Sequence, residues 1–438
     1  MNLLQALRAE QNSVISFVGA GGKSTALFEL SRQYSTPVFV TSTTHLAKSQ
    51  AQLADRHIII TNQQIDRQLL DSFQTGVILF TADLNNQGKW VGLQDDQVYR
   101  LGEYTQKNNL PLLIEADGSR QLPLKAPAEN EPAIPEISTH VVVLAGLSGL
   151  AKPLNDEYVH RSEIFSRITN RKMNDLVTLD DLEKELLHPQ GGLKNIPSGA
   201  RKTVILNQMS SFSETISIEK TIQRLLLVYD CVITANLKEK EILHSREKVS
   251  GIILAAGGAG RFGSPKQLAI WNGKTLIRLV TETALASMIS EVIVVVGANE
   301  AEVINQIRDL PVKIVINQDW RSGQSSSIKI GLAGISPNSG ASFFLLADQP
   351  LVTPDLINNL IRVHAQTKAP VIAPEFGSRR GNPVLFDKLT FPDLFGITGD
   401  IGGRAIFEKY PPLSVPWTDG NIFVDIDTPK DLNRLEQV

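Results

Sequence analysis

Residues 254–268 read LAAGGAGRFGSPKQL, directly behind the short apolar run Gly251-Ile252-Ile253. A strand that breaks into Gly257, Gly258 and Gly260 leaves backbone N–H groups with no side chains in front of them. Arg261 and Lys266 then bring positive charge at fixed reach, and Pro265 stiffens the loop between them. Such a segment suits a triphosphate. A plain strand-to-helix turn would account for the glycines but needs neither basic residue. The spacing matches neither the P-loop, in which Gly-Lys-Ser opens the helix, nor the dinucleotide fingerprint G-x-G-x-x-G.

Further segments supply the rest of a site. RSGQSSSIKIGL at 321–332 joins a turn containing Gly323 to an apolar helical stretch. That aims Ser325, Ser326, Ser327 and a helix N-terminus at an anionic or polar ligand, unless the serines are ordinary caps. ASFFLLADQPLVTP at 341–354 ends an apolar run at Asp348, with Thr353-Pro354 opening the next helix. An acidic residue at the carboxyl end of a buried parallel strand sits at the ligand crevice, where it can hold a metal. FVDIDTPKDL at 423–432 alternates apolar and acidic residues, placing Asp425 and Asp427 on one strand face, and Thr428, Pro429 and Asp431 form a capping box. GSRRGNPVLF at 377–386 and GDIGGRAIF at 399–407 present Arg379, Arg380 and Arg404 on glycine-rich loops, either solvated or binding a phosphorylated second substrate.

What is scarce also matters. From residue 249 onward there is one histidine, His364, inside the helical stretch PDLINNLIRVHAQ, and no cysteine. A reaction needing a general base or covalent nucleophile is poorly supplied. A phosphate monoester attacking a nucleoside triphosphate needs neither, because with a second pKa of about 6 it is already ionised at neutral pH. Positioning and charge neutralisation then carry the catalysis.

In this order the segments resemble the MobA-like nucleotidyltransferases that attach a nucleotide to molybdopterin, whose loop has the form LAAG-x-x-x-R-x-G-x-x-K. The resemblance covers about residues 249–438. It implies a Rossmann-like nucleotidyltransferase sheet. Leu254, Ala255, Ala256, Gly257, Gly258, Gly260, Gly323, Ser325 and Ser326 would face the nucleotide, and Arg379, Arg380 and Arg404 its acceptor. Arg261, Lys266, Asp348 and Asp425 would be catalytic, with Mg2+ between Asp348 and Asp425, and Asp427 either near that pair or stabilising the helix start. The LAAG form resembles the cytidylyl branch, the guanylyl branch tending to LAGG. It implies transfer of CMP from CTP to molybdopterin cofactor with release of pyrophosphate. A sugar-phosphate or polyol-phosphate nucleotidyltransferase shares the loop and the Asp pair, and a non-catalytic scaffold that delivers the cofactor is the remaining alternative.

The N-terminal half alternates apolar strand candidates such as SVISFVGAG, TPVFVTSTTHL, GVILFTA, LPLLIEADG and THVVVLAG with helical stretches, which argues for a parallel α/β sheet. GAGGKST at 19–25 places Gly19, Gly21, Gly22, Lys23, Ser24 and Thr25 between strand and helix, a P-loop-like arrangement for ATP or GTP. Lys23 would reach the terminal phosphates and Ser24 or Thr25 the Mg2+. The loop is shorter than G-x-x-x-x-G-K-[ST] and has Phe17 at its first position, closer to the loop of ATP-dependent amide ligases. Glu115 and Asp117 end LPLLIEADG as carboxylates for Mg2+ or its water, or simply as a strand-end Asp-Gly turn. Thr41 to His45 would line the same crevice, with no metal assigned to His45.

GAGGKST, TSTTHL, IEADGSRQLPLKAPAENEPAIP at 114–135 and KPLNDEYVHR at 152–161 resemble the YqeC-like accessory proteins of selenium-dependent molybdenum hydroxylases, over about residues 10–240. That resemblance implies Lys125, Glu131 and His160 as site residues and an apo-molybdenum hydroxylase as partner, without implying a reaction.

Composition frames these readings. The chain has 438 residues, 42% hydrophobic and 20% charged, with a net charge of -3. That is ordinary for a globular two-domain enzyme and gives no general affinity for nucleic acid or acidic membranes. Cys231 stands alone, so no intrachain disulfide is available, and no apolar run approaches membrane-spanning length. A cytoplasmic protein is expected. The charged stretch LKEKEILHSREKVS at 237–250 reads as a linker or a surface helix, dividing the chain into a P-loop-like accessory domain at 1–245 and a transferase domain at 246–438. The expected fold class is α/β, with two doubly wound domains.

Overall fold

The computed structural model describes residues 1–60, 72–211, 215–258, 262 and 264–435. The chain forms two compact units, Met1–Arg246 and Glu247–Val438.

The first unit is built on eight parallel strands: β1 (Val14–Gly19), β2 (Val38–Ser42), β3 (Arg56–Ile59), β4 (Val77–Thr81), β5 (Leu112–Glu115), β6 (His140–Gly146), β7 (Arg201–Asn207) and β8 (Cys231–Asn236). They lie in the order β8-β7-β6-β1-β5-β2-β4-β3. Apolar runs such as Val38-Phe39-Val40 and Val77 to Phe80 are continuous because both sheet faces are covered. Along β1, Val14 and Val18 enter one core with Phe39, Leu112 and Val141, while Ile15 and Phe17 enter the other with Leu27, Leu30 and Leu113. The chain winds outward from β1 to β4, returns as β5 beside β1, then crosses to β6 on the other flank of β1. The carboxyl ends of β1, β5 and β6 therefore border the reversal in winding where α/β sheets open a crevice.

The second unit carries the end of β9 (Glu241–Ala255) with β10 (Glu291–Val296), β11 (Lys313–Ile316), β12 (Ser339–Leu346), β13 (Val371–Phe376), β14 (Val384–Asp387) and β15 (Leu413–Pro416), in the order β11-β10-β9-β12-β14-β13-β15. The first four of these strands in sheet order are parallel, while β14 runs antiparallel to both β12 and β13. The sheet is therefore mixed. Residues 377–383 between β13 and β14 are too few for a parallel crossover, which needs a dozen or more.

Two local expectations are corrected. The charged stretch 237–250 is neither linker nor surface helix, because strand β9 begins at Glu241. Its polar residues are internal partners: Ser245 donates to Ala6 O at 2.9 Å, Arg246 holds Glu219 at 2.9 and 3.1 Å, and Glu247 pairs with Lys368. Residues 423–427 are not a strand either. A 3-10 turn (Gly420–Phe423) leads into extended chain before the helix Pro429–Leu435. The alternation survives because Ile426 is fully buried and its N–H donates to Asp348 O at 3.0 Å, a single backbone bond instead of a ladder.

His364 lies in the core on helix Pro354–Thr367, with its Nε2 2.7 Å from Asp387 Oδ2. Burial and nearby Lys368 push its pKa down, against the opposing pull of Asp387. It is thus a structural histidine. Among the described residues no helix is long and apolar enough to cross a membrane.

The Glu247–Lys368 pair, with side chains 0% and 7% exposed, ties β9 to the end of that helix. Lys368→Met takes the cation away from the buried Glu247 carboxylate, which should cost about 3–5 kcal/mol in urea unfolding. The double variant Glu247→Gln, Lys368→Met should recover part of that loss. A single-variant loss below about 1 kcal/mol would show that the pair is no more than a surface contact.

Candidate functional site

In the second unit β9 ends at the loop Ala256-Gly257-Gly258, and a cleft of about 770 Å3 opens above it. The cleft is lined by Leu254, Ala256, Gly257, Gly258, Lys266 and Gln267 from the loop, by residues 320–324, Ser327 and Asp400, and by Leu346, Ala347 and Asp348 at the strand end. A Cβ at Gly258 would stand 3.1 Å from the Trp320 ring, so a larger residue there would need the ring to give by a few tenths of an ångström. Gly260 and Arg261 lie outside the described residues.

Lys266 joins the pieces. Its ammonium pairs with Asp348 and lies 3.1 Å from Asp427 Oδ1. Partial burial works against its charge, but the two carboxylates prevail and raise its pKa, so it stays an ammonium at neutral pH. Asp425 is exposed but its carboxyl is partly enclosed, and that enclosure together with Asp348 and Asp427 raises its pKa, against a 2.6 Å hydrogen bond from Gln349 Nε2 and the charge of Lys266. Asp348, Asp425, Asp427 and Lys266 thus share one end of the sheet. The helix start is served by Asp431, which accepts from Thr428 N at 2.9 Å and Thr428 Oγ1 at 2.7 Å. Asp427 is a partner of Lys266 instead. The Asp-Ile-Asp alternation was the available signal for it, whereas nothing in the sequence marked Gln267, Gln349 or Trp320.

The serine segment is used differently from the sequence expectation. Ser326 Oγ donates to Gly323 O at 2.8 Å and Asp319 O at 3.1 Å, and Asn317 Nδ2 donates to Ser326 and Ser327 at 2.8 and 2.9 Å. Ser325 is buried, with its N–H donating to Gly399 O at 3.2 Å, and Gln324 N donates to Asp400 Oδ1 at 3.2 Å. The helix start is therefore satisfied internally, and of this segment Arg321, Ser322, Gly323, Gln324 and Ser327 line the cleft while Ser325 and Ser326 do not. Arg379, Arg380 and Arg404 do not line it. Arg379 stacks over Phe423 at 4.6 Å, Arg380 Nε lies 3.3 Å from Ser414 Oγ, and Arg404 is exposed on the turn Gly403–Ile406.

In the first unit, Gly19, Gly21 and Gly22 adopt φ of 90°, 80° and 128°. A Cβ on Gly19 or Gly21 would overlap the backbone of Leu144 or Gly146, and one on Gly22 would stand 2.6 Å from Asn207 Nδ2. Gly22 then caps helix Lys23–Ser31 with no side-chain hydrogen bond, leaving the amides of the first turn without a capping side chain. Lys23, 3% exposed, donates to Gly19 O at 2.7 Å and lies 3.1 Å from Asp117 Oδ1. Ser24 Oγ donates to Glu115 Oε2 at 3.0 Å and accepts from Gln50, while Thr25 is exposed.

Asp117 also accepts from Gly19 N at 2.9 Å and pairs with Lys125 at 2.7 Å. Lys125 meets Glu131 at 2.7 Å, and Arg161 holds Glu131 with two bonds of 2.6 and 2.7 Å. The result is a row of alternating charge, Lys23-Asp117-Lys125-Glu131-Arg161. Burial would raise the pKa of Glu131, but Arg161 and Lys125 bring it to about 2. Burial raises that of Glu115 and pushes Glu185 up to about 8, beside a cavity of about 30 Å3 shared with Asp117 and Lys125. Burial and the nearby Arg161 and Lys125 hold His160 at about 4, so it is neutral at pH 7. Lys125, Glu131 and His160 are thus brought together, with Arg161, Glu185 and Gln50 unmarked by the sequence reading. The hydroxyls of Thr41, Ser42 and Thr43 donate to Phe80 O, Glu115 O and Ala133 O, so they brace strand ends, and His45 is exposed. Among the described residues there is no group of three or more His, Cys, Asp or Glu placed to hold a metal ion on its own.

Residues 15–163 match the family model described as YqeC protein, and residues 251–413 match the one described as MobA-like NTP transferase domain. The chain is 34% identical over 218 residues, 49% of its length and 82% of the relative's, to the uncharacterized protein YqeC of Escherichia coli (strain K12). It is 31% identical over 197 residues to the nicotine blue oxidoreductase of Paenarthrobacter nicotinovorans, covering 43% of this chain and 96% of that one. With a probable molybdenum cofactor guanylyltransferase of Geobacillus sp. (strain WCH70) it shares 28% identity over 195 residues, 43% of this chain and 98% of the relative. A glycine loop ending in an Asp-held lysine and a second glycine loop over a buried charge row thus sit in two separately matched segments. The chain belongs to the YqeC family through its first unit and to the MobA-like NTP transferases through its second.

Proposed function

We propose that the second unit is a Mg2+-dependent cytidylyltransferase that transfers CMP from CTP to the phosphate of molybdopterin cofactor and releases pyrophosphate. The observation that carries this reading is Lys266, held as a charged ammonium between Asp348 and Asp427 at the edge of the nucleotide-sized cleft. An oxygen of the acceptor phosphate forms the new bond to the α-phosphorus. The bond from that phosphorus to the bridging oxygen breaks, and pyrophosphate leaves with the electron pair. Neither step needs a proton removed by the protein. Lys266 supplies fixed positive charge, and the walls from Trp320 to Gln324 keep the triphosphate in one place.

Lys266 pairs with Asp348 and Asp427, and the carboxyl of Asp425, whose pKa is raised by burial first and by those two carboxylates next, lies near enough to them for a divalent cation to suit the group. Asp348 and Asp425 would hold Mg2+, which favours one or two carboxylates with substrate phosphates and which neutralises charge on the triphosphate. CTP rests on Ala256 in the LAAG loop. The relative named as an oxidoreductase raises hydride transfer as a second reading, but that chemistry has no need of a lysine between carboxylates.

For the first unit we infer ATP or GTP binding at Gly19 to Thr25. Lys23 would reach the phosphates, and Ser24, Glu115 and Asp117 would attend the Mg2+. The close-packed glycines and the uncapped helix start support this reading. Two such units on one chain fit maturation of a molybdenum hydroxylase, with the apo-enzyme as partner.

In a panel of nucleotides with molybdopterin cofactor and Mg2+, CTP should give pyrophosphate only when the pterin is present. Turnover with GTP about tenfold better would reassign the base, a sugar phosphate replacing the pterin would reassign the acceptor, and oxidation of a reduced nicotinamide without pyrophosphate would favour the oxidoreductase reading.

Asp348→Asn and Asp425→Asn should each lower the rate by about a hundredfold or more in folded protein and raise the Mg2+ requirement. Asp427→Asn should cost about tenfold with an unchanged Mg2+ requirement, since it positions Lys266. An equal shift in metal requirement at 425 and 427 would overturn that division of roles.

Lys23→Ala should abolish ATP or GTP binding at the first loop, measured calorimetrically, because the ammonium is that loop's only positive side chain. Undiminished affinity would remove the loop from consideration as a phosphate site.

A further inference from the structure

We propose that Gln267 is the nucleotide-positioning residue of the second unit's cleft, its side-chain oxygen accepting a hydrogen bond from an N–H or O–H of the nucleoside. The inference rests on the nucleotidyltransferase reading of that unit. Gln267 follows Lys266 in the short turn Lys266–Leu268, lines the cleft, and is only 2% exposed. Its Nε2 donates to Ala255 O at 3.1 Å and to Gly257 O at 2.6 Å. Both neighbours are acceptors, so the NH2 end must face them and the amide has one orientation.

Two consequences follow from that orientation. The carbonyls on either side of Ala256 are pinned, which sets the peptide planes of the phosphate loop, and in a trans peptide the N–H of Gly258 must point opposite to the Gly257 carbonyl. The oxygen, Oε1, is turned away from the loop, and it is a buried acceptor with no hydrogen-bond partner among the described residues. A buried acceptor left unpaired is costly, and it is met either by a bound water or, once the lining of the cleft shifts enough to admit one, by a ligand donor. The phosphates of a nucleoside triphosphate at neutral pH offer oxygen acceptors and cannot serve. In CTP the donors available are the ribose hydroxyls and the exocyclic amine of the base; guanine or uracil would add a ring N–H. Gln267 therefore couples the two ends of the nucleotide, holding the phosphate loop with its nitrogen and the nucleoside with its oxygen.

The test is equilibrium binding to the full chain, with Mg2+, of the nucleoside triphosphate that binds tightest, its 2′-deoxy and 3′-deoxy forms, and its counterpart lacking the base amine. Wild type and Gln267→Met are compared, and any binding at the first unit's loop is common to both. Wild type should prefer the intact nucleotide by about tenfold over one of the three donor-deleted forms, identifying ribose or base as the donor. Gln267→Met, with its fold checked by thermal unfolding, should bind the intact nucleotide about tenfold more weakly and lose that preference. A merely structural role would weaken all forms alike and leave the preference intact, which overturns the proposal. So does a wild type with no preference among the four, the result that a bound water as the donor would give, and a measurement that needs no variant. Failure of every nucleotide to bind would instead refute the transferase reading beneath it.

Discussion

One lysine bonded to two carboxylates organises the second unit's site. Lys266 comes from the loop after β9, Asp348 from the end of β12, and Asp427 from the stretch that precedes the last helix. These segments are far apart in sequence and converge because strands β9 and β12 are parallel neighbours whose carboxyl ends must lie side by side. The backbone bond from Ile426 N to Asp348 O then brings the C-terminal stretch to the same point, with Ile426 buried between two outward carboxylates. Removing the ammonium would leave the carboxylates uncompensated, and the pKa of Asp425 is already raised, by burial first and by Asp348 and Asp427 after it. The arrangement stores the electrostatic demand that a cation and a triphosphate together can meet.

The first unit meets a related problem with a different balance. There the loop lysine is buried, bonded to its own loop's carbonyl and beside Asp117, and the carboxylate is held in turn by Lys125 and Gly19 N. Each charge in the row to Arg161 has an opposite neighbour, so the row is nearly neutral and survives burial that would be prohibitive for any member alone. Burial pushes the pKa of Glu185, beside the row, up to about 8, against the pull of Lys125. A phosphate arriving at the loop would therefore compete with Asp117 for Lys23, whereas at the second loop Lys266 is 28% exposed and lines the cleft. The two glycine loops are similar in composition and unlike in electrostatic state.

Side-chain amides do comparable work at short range. Gln267 fixes loop carbonyls, Gln349 orients Asp425, and Asn207 donates to Gly21 O at 2.7 Å while accepting from Leu237 N at 2.9 Å. Amides suit these places because they brace irregular backbone without adding charge to sites already crowded with it.

The sequence by itself determined the α/β class, the parallel strands of both units and the two glycine loops, because buried parallel strands are written as continuous apolar runs and tight backbone as glycine. It also determined Lys266, Asp348, Asp425, Lys23 and Asp117 as candidates, since charged residues at strand ends stand out against apolar runs. What only the tertiary structure decided was pairing. The first half of β9, before the apolar run at 251–253, was hidden because Ser245, Arg246 and Glu247 are polar residues whose partners lie elsewhere along the chain. The serines of 325–327 and the arginines of 379, 380 and 404 have types that suit a phosphate, yet their own neighbours occupy them or the fold leaves them off the cleft. Asp427 and Gln267 owe their places to contacts made across 161 residues and to carbonyls of a loop ten and twelve residues away. Residue type is local information, but whether a charge or an amide is free for a ligand depends on which partners folding has brought to it.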